Sequence, residues 1–418
     1  MPLSDARSSS GLEQSAPART PLPALVVFSH LRWGAIVRRP QHLLTRLARD
    51  FRVFFVEEPV FGAGPPVLEC SRTAPGVEVL TPRTPVEAGG FVDAQLPLLE
   101  ALLADFIADR HIDDPFVWLT TPMALPLAAD LEPRAVIYDC ADDFAPRAQA
   151  SPQLVQREAA LLELADVVLC ASPSLCEARR ALHPNLHCLP SAVDAEHFAR
   201  LQPHRLECAA ARALHEGLPR PRLGFFGTID ERLDLALVAA VADRRPDWQL
   251  LMAGPVADAV AGALPRRANL RWLGPQSYDM LPHLMSHWDV CLLPLVRGEA
   301  TRFASPAQTL EYLAGGKPVV ATTLADVAAL HGDVVCLADD AETFVEAIAA
   351  LLAESPAARQ QRRARAQARV DASSWDGTAA RVAALMHEFV RPAVARRAAA
   401  ESGAQGRVPV DLPLAAAT

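Results

Sequence analysis

Short apolar runs alternate with helical patterns along most of the chain. Residues 25–28, 52–56, 116–119, 135–138 and 167–170 are runs of four to five residues dominated by Val, Leu, Ile and Phe, and each reads as a buried strand. Residues 40–49 instead put Leu43, Leu44 and Leu47 on one helical face. The pattern breaks over 195–221, a mixed polar stretch ending in Leu-Pro-Arg-Pro-Arg, and then restarts. Strands are predicted at 223–226, 249–252, 289–293 and 319–321, and helices at 233–241, 341–352 and 378–390. Such β-α-β alternation argues for parallel sheets covered by helices on both faces.

The expected fold class is therefore α/β, with two doubly wound, Rossmann-like parallel-sheet lobes facing a central cleft. Residues 1–23 and 393–418 are polar, Pro- and Ala-containing and have little to bury, so they are expected to be disordered. Between them the pattern predicts a first lobe over 24–200, a linker over 201–221 and a second lobe over 222–375. A closing helix over 376–392 is expected to pack back on the first lobe. Ligands of such sheets bind beyond the carboxyl ends of the strands, which makes the cleft the default site.

The stretch with the most chemistry runs from Arg302 to Thr322. Ser305 has the character of an N-cap, Pro306 suits a first helical position, and Gln308 three residues on would complete a capping box. Gly315-Gly316 would end that helix. A helix start beside Arg302 gathers free N–H groups, a dipole and a guanidinium, a combination that suits a diphosphate. Glu311, a turn and a half in, leans toward the same pocket. A carboxylate does not serve phosphates, but it can accept two hydrogen bonds from a ribose diol. The plain alternative is a well-capped helix carrying a solvated glutamate.

Charge narrows the choice. Across 418 residues the formal net charge is −9, with an isoelectric point near 5.8. That balance argues against nucleic acid as a partner. The eight cysteines (70, 140, 170, 176, 188, 208, 291 and 336) form no C-x-x-C pair, and most sit in apolar runs, which reads as reduced core thiols in a cytoplasmic protein. No metal site is expected. The N-terminus has no apolar signal-peptide core, and no stretch of about 18 apolar residues exists to span a membrane.

At the residues just described the chain resembles the GT-B glycosyltransferases of the glycosyl transferases group 1 (family 4-like) type. Residues 305–322 resemble that family's donor-site helix and following strand. In order along the chain, so do Trp33 with Arg39-Pro40-Gln41-His42, then Tyr138-Asp139-Cys140-Ala141-Asp142-Asp143, Ala165-Asp166, Pro190-Ser191-Ala192-Val193-Asp194, Gly227-Thr228-Ile229-Asp230-Glu231-Arg232 and Asp289 to Pro294. The resemblance covers about residues 24–390.

It implies transfer of a sugar from a nucleotide diphosphate sugar, held by the C-terminal lobe, to a glycan or lipid-linked acceptor held by the N-terminal lobe. It also implies a role in polysaccharide or cell-surface glycan assembly, retention of configuration, no metal or other cofactor, and peripheral contact with the inner membrane face. The sites it implies are Arg302 and Asp142 for catalysis, with Gly227, Arg232, Ser305 and Glu311 for the nucleotide sugar. Two departures stand out: Phe303 replaces the first of two glutamates usually spaced eight apart, and Gln308 replaces a lysine. A catalytically weak scaffold subunit and a nucleotide-sugar epimerase of the same fold are the alternatives.

Other positions read two ways. Gly227 can bring backbone close to a phosphate or simply make a tight turn. Arg232 opens the next predicted helix and can face the cleft or solvent. Asp139, Asp142 and Asp143 can serve an acceptor hydroxyl or cap a helix. Trp33 can stack on a sugar, and Arg38 or Arg39 can meet an anionic acceptor, or the segment is an ordinary helix start. Ser191 and Asp194 suit the hinge. The arginines of 359–369 read as a solvated helix face or as a contact for anionic lipid.

Overall fold

A computed structural model describes residues 22–73, 76–141, 151–199 and 208–390. The N-terminal lobe is built on a nine-stranded sheet: β1 (Ala24–Ser29), β2 (Arg52–Glu57), β3 (Val60–Phe61), β4 (Val67–Arg72), β5 (Val77–Thr84), β6 (Phe116–Leu119), β7 (Ala135–Cys140), β8 (Val167–Cys170) and β9 (Leu186–Cys188). Their order is β3-β5-β2-β1-β6-β7-β8-β9, all parallel, with β4 added antiparallel to β5. The central strands β1, β6, β7 and β8 are buried at every position and mostly apolar because both faces are covered. Leu25 and Val27 of β1 face the helices Arg39–Leu47 and Trp375–Glu388, while Val26 and Phe28 face the helix Leu96–Asp109.

The second sheet holds β10 (Arg222–Phe226), β11 (Gln249–Ala253), β12 (Leu270–Gly274), β13 (Val290–Leu293), β14 (Val319–Ala321) and β15 (Cys336–Leu337), parallel and in the order β12-β11-β10-β13-β14-β15. The order reverses between β10 and β13, so a crevice opens above the ends of those two strands. Each lobe is thus a doubly wound sheet. The last helix, Trp375–Glu388, crosses back to the first lobe and buries Trp375, Val382, Leu385 and Met386 against its core.

Several elements depart from the sequence pattern. The segment read as a linker contains the helix Ala209–His215, and Ala211 and Leu218 are buried in the second core. Val193 and Phe198 belong to that core as well, so the chain has already crossed before residue 200. The strands β3, β4, β5, β9, β12 and β15 are not among those predicted from the sequence. Asp142 and Asp143, like residues 1–21 and 391–418, lie outside the described residues.

Candidate functional site

The site is built where β10 and β11 end. Gly227 (φ +152°) and Gly254 (φ +145°) follow these strands directly, and both lie outside the region side chains favour. The Gly227 N–H donates to the Ala253 carbonyl at 3.0 Å, and the Gly254 N–H to the Gly274 carbonyl at 2.8 Å. A Cβ on Gly254 would stand 1.8 Å from the Gly227 oxygen, and one on Gly227 would stand 2.8 Å from the Gln308 side-chain nitrogen. Two turns of bare backbone therefore press together, with Gln308 lying directly against the first.

Gln308 opens the helix Gln308–Ala314, which corrects the sequence reading of its start. Ser305 is not the cap. Residues 304–306 run irregularly, Ala307 stands at the N-cap, and no side chain caps the helix. The capping box with Gln308 does not form; the Gln308 side chain points to Gly227 instead. Of the first-turn amides the Thr309 N–H donates to the Pro306 carbonyl at 3.1 Å, while those of Ala307 and Gln308 precede the helix's own carbonyls and have no acceptor within it.

Glu311 lies on the same short helix, between buried Leu310 and Tyr312. Tyr312 is locked to β10 by the Phe226 N–H, which donates to its hydroxyl at 3.0 Å, so the helix is fixed in rotation. No hydrogen bond or ion pair reaches the Glu311 carboxyl among the described residues, and burial pushes it up to about 8. Tyr278, which follows β12, lies within electrostatic reach. Its phenol is raised by burial first and by Glu311 second. Both the Tyr278 hydroxyl and the Thr309 hydroxyl are buried without a partner. Three polar groups thus stand unsatisfied around one helix, an expensive arrangement unless something else completes it.

The cations are distributed unevenly. Arg302 is largely exposed, 3.8 Å from Glu299, and its guanidinium lies 4.9 Å from the Phe303 ring centre. Phe303 packs against the apolar core of the first lobe, so an interlobe apolar contact stands where the family pattern has a glutamate. Arg232 precedes the helix Leu235–Arg244 rather than opening it, because Asp234 is the cap. Its guanidinium is held by Asp230, with Nε 3.1 Å from both carboxylate oxygens, and its charge is largely spent there. Lys317 donates to the Trp288 carbonyl at 2.8 Å beneath the opposite end of the sheet and serves the fold.

From the first lobe, Arg38 reaches across and donates to the Thr228 hydroxyl at 3.0 Å, which places it at the Gly227 turn. Arg39 turns inward. Its Nε lies 3.1 and 3.2 Å from the Asp139 oxygens, and its Nη1 donates to the Leu189 carbonyl at 2.8 Å, all buried. Arg39 and Asp139 therefore pin the helix Arg39–Leu47 to the end of β7 and are not open to an acceptor. Trp33 packs edge-on to Phe55 at 5.1 Å and is half-buried, so much of its ring serves the core. Asp194 pairs with Arg46 at 3.5 Å at the crossover between lobes. A further interlobe contact joins the Ser174 hydroxyl to Asp326 at 2.7 Å.

The sequence reading missed Tyr278. Its ring stacks on His197 at 4.1 Å and meets the edge of His42 at 5.3 Å, and His42 stacks on Trp375 at 4.9 Å. This ladder joins both lobes and both crossovers beside Glu311. Burial, then the nearby Arg46, lowers His42 to about 4, so it is neutral there. Of the arginines on the helix Pro356–Asp371, Arg362 is buried against Glu354 rather than solvated.

This geometry defines a GT-B fold, in which two Rossmann-like lobes close over a site at the ends of β10 and β11. Residues 220–354 match the sequence profile of the family described as Glycosyl transferases group 1, which bears out the resemblance read from the sequence. The chain is 30% identical over 225 residues to TuaH of Bacillus subtilis, a protein described as a teichuronic acid biosynthesis glycosyltransferase; the match covers 50% of this chain and 55% of that protein. The chain thus spans about half the length of the curated relative it matches. Among solved structures it is similar to sucrose-phosphate synthase from Thermosynechococcus elongatus (TM-score 0.70, 18% identity, 88% of this chain and 99% of that one). It is also similar to HepE from Anabaena, solved with UDP and glucose (TM-score 0.65, 16% identity, 88% and 100%).

Proposed function

We propose that this protein transfers a sugar from a nucleotide diphosphate sugar to a glycan or lipid-linked acceptor in cell-surface polysaccharide assembly. The observation that carries this reading is Glu311: a half-buried carboxyl with no hydrogen bond or ion pair among the described residues, within electrostatic reach of the unpartnered Tyr278 hydroxyl and on the helix whose Gln308 lies against the Gly227 turn. A ribose diol would donate to it twice and satisfy it. The diphosphate would then lie at the Gly227 turn, beside the Gln308 side chain, where the lack of a Cβ lets the backbone come close. Arg302, Arg38 and the first-turn amides at Ala307 and Gln308 supply positive potential for the charge that develops on the leaving group. Arg232 contributes less, being neutralised by Asp230, and Ser305 contributes through its position ahead of the helix rather than as its cap.

On the acceptor side Asp142 is the candidate for the acceptor hydroxyl or the transferred sugar. Retention of configuration and independence from metals and cofactors, drawn from the family resemblance, are parts of the same proposal, as are a cytoplasmic location, read from the cysteines, and peripheral membrane contact, read from the arginines of 359–369. A relative named for teichuronic acid biosynthesis supports the polysaccharide assignment. A scaffold subunit that binds nucleotide without turnover is the second reading. Phe303 favours it, because its ring closes on the first lobe's core where a sugar contact would stand.

Calorimetric titration with UDP, GDP and ADP in EDTA tests the proposal. Micromolar binding of one of them is expected, weakened in Glu311→Ala, while Arg302→Ala should weaken the diphosphate more than the nucleoside. A folded protein that binds none of the three refutes the donor site. Binding without transfer to any acceptor selects the scaffold.

A further inference from the structure

Four of the eight cysteines meet at one corner of the first lobe. Cys140 pairs in register with Cys170, and Cys170 with Cys188, across the adjacent parallel strands β7, β8 and β9. Partners at one register point to the same face of a sheet, so three thiols form a row. Cys176, from the helix Pro173–Arg179, lies over that row, with its thiol 3.7 Å from the Cys170 carbonyl. The helix Pro173–Arg179 packs on β9, and the thiols influence one another in sequence, Cys140 with Cys170, Cys170 with Cys176 and Cys176 with Cys188.

Cys140, Cys170 and Cys176 are buried, and as small apolar fillers they need no further account. Cys188 does: it is exposed at the end of β9, in register with Cys170 and within electrostatic reach of the Cys176 thiol. The neighbouring Cys176 holds the Cys188 thiol below the usual range. Cys170 acts to lower the Cys176 thiol, but the neighbouring Cys188 and burial outweigh this and push it up to about 12. The pair is therefore divided into a reactive, accessible sulfur and a protonated neighbour behind it. An oxidant-sensitive cysteine beside a resolving cysteine has this form.

We propose that Cys188 and Cys176 are an oxidisable dithiol, in which a peroxide attacks the exposed sulfur and the buried one closes a disulfide. The Cys188 thiolate attacks one peroxide oxygen; the O–O bond breaks, Cys188 becomes a sulfenic acid, and the hydroxide released takes a proton to leave as water. The Cys176 sulfur then attacks the Cys188 sulfur, forming the S–S bond and expelling the sulfenic oxygen as a second water. Two thiols are oxidised by two electrons and one peroxide is reduced to two waters. The bond would form in the cleft wall. Leu189, next to Cys188, accepts from Arg39, and Ser174, two residues before Cys176, holds Asp326 of the other lobe.

The test is peptide mapping of the reduced full chain after a few equivalents of hydrogen peroxide and alkylation. A Cys176–Cys188 linkage, reversed by dithiothreitol, is expected to dominate. Cys70 is the internal control: it is also exposed, but burial of its sulfur raises its thiol and it has no thiol partner among the described residues, so it should react more slowly. In Cys176→Ser, Cys188 should stop at a sulfenic acid that dimedone traps. The proposal is overturned if Cys188 stays reduced while Cys70 oxidises. It is also overturned if Cys188 passes to sulfinic acid in the wild type without linkage, or if it links to Cys170 instead. None of these readings depends on the glycosyltransferase assignment.

Discussion

Replacing Glu311 by glutamine separates the cost of its charge from the use of its charge. In the wild type, burial raises the carboxyl from 4.5 to about 8. A raised carboxyl means that the folded state holds a proton the unfolded state has lost between those values. Stability should therefore fall as pH rises from about 4.5 to about 8 and then level off. At ~1.4 kcal/mol per pH unit the ceiling is roughly 5 kcal/mol. Glu311 keeps some contact with solvent, so a fall of about 2–3 kcal/mol is the working figure. Glutamine has no proton to lose. The stability difference between Glu311→Gln and wild type should be near zero at pH 5 and grow to about 2–3 kcal/mol in favour of the variant by pH 8.5. Urea unfolding at both pH values measures it. The histidines lowered to about 4 by burial, His42, His215 and His331, contribute in the opposite sense, but they are common to both proteins and cancel in the difference. Nucleotide affinity should move the other way: losing one charge-assisted hydrogen bond, worth ~1.5–3 kcal/mol, weakens binding roughly ten- to a hundredfold. A stability difference that does not change with pH would refute the unpaired buried carboxyl. Unchanged affinity would refute its use by the ligand.

Tyr278→Phe removes a buried hydroxyl that has no partner; unfolding should show unchanged or slightly increased stability, whereas calorimetry should show weaker nucleotide binding if that hydroxyl serves the ligand. Gly254→Ala drives a Cβ into the Gly227 carbonyl at 1.8 Å and should cost about 3 kcal/mol or more by denaturant melts, while Gly34→Ala, with nothing within 4 Å, should leave stability nearly unchanged. Arg39→Leu removes the buried guanidinium that holds Asp139 and the Leu189 carbonyl and should destabilise by about 3–5 kcal/mol in urea unfolding.

The long elements were legible because burial on both faces leaves little freedom in composition. Residues 25–28, 116–119, 135–138 and 167–170 lie in strands near the predicted bounds because a central parallel strand has no solvated side to dilute its apolar run. Of the edge elements, β3 has only two residues and β4 is exposed along almost its whole length, so their residues carry no such constraint.

The candidate site shows a different kind of failure. Ser-Pro pairs do cap helices in this chain: Ser151, Ser172 and Ser355 each accept from the amide three residues on. Ser305-Pro306 carries the same local signal, yet the helix starts later, at Gln308. The same physics is overruled there by tertiary demands: Phe303 must reach the first lobe's core, and Gln308 must lie against Gly227. Local preference is met wherever a helix only has to pack, and is given up at the helix that faces the cleft. Tyr278 was illegible for a related reason. Nothing local marks it, since its environment comes from His42, His197 and Glu311, which lie 236, 81 and 33 positions away in the sequence. The residues that local rules misplace or overlook are those that converge on Glu311, which is where strain and unsatisfied polar groups are expected to be held for a ligand.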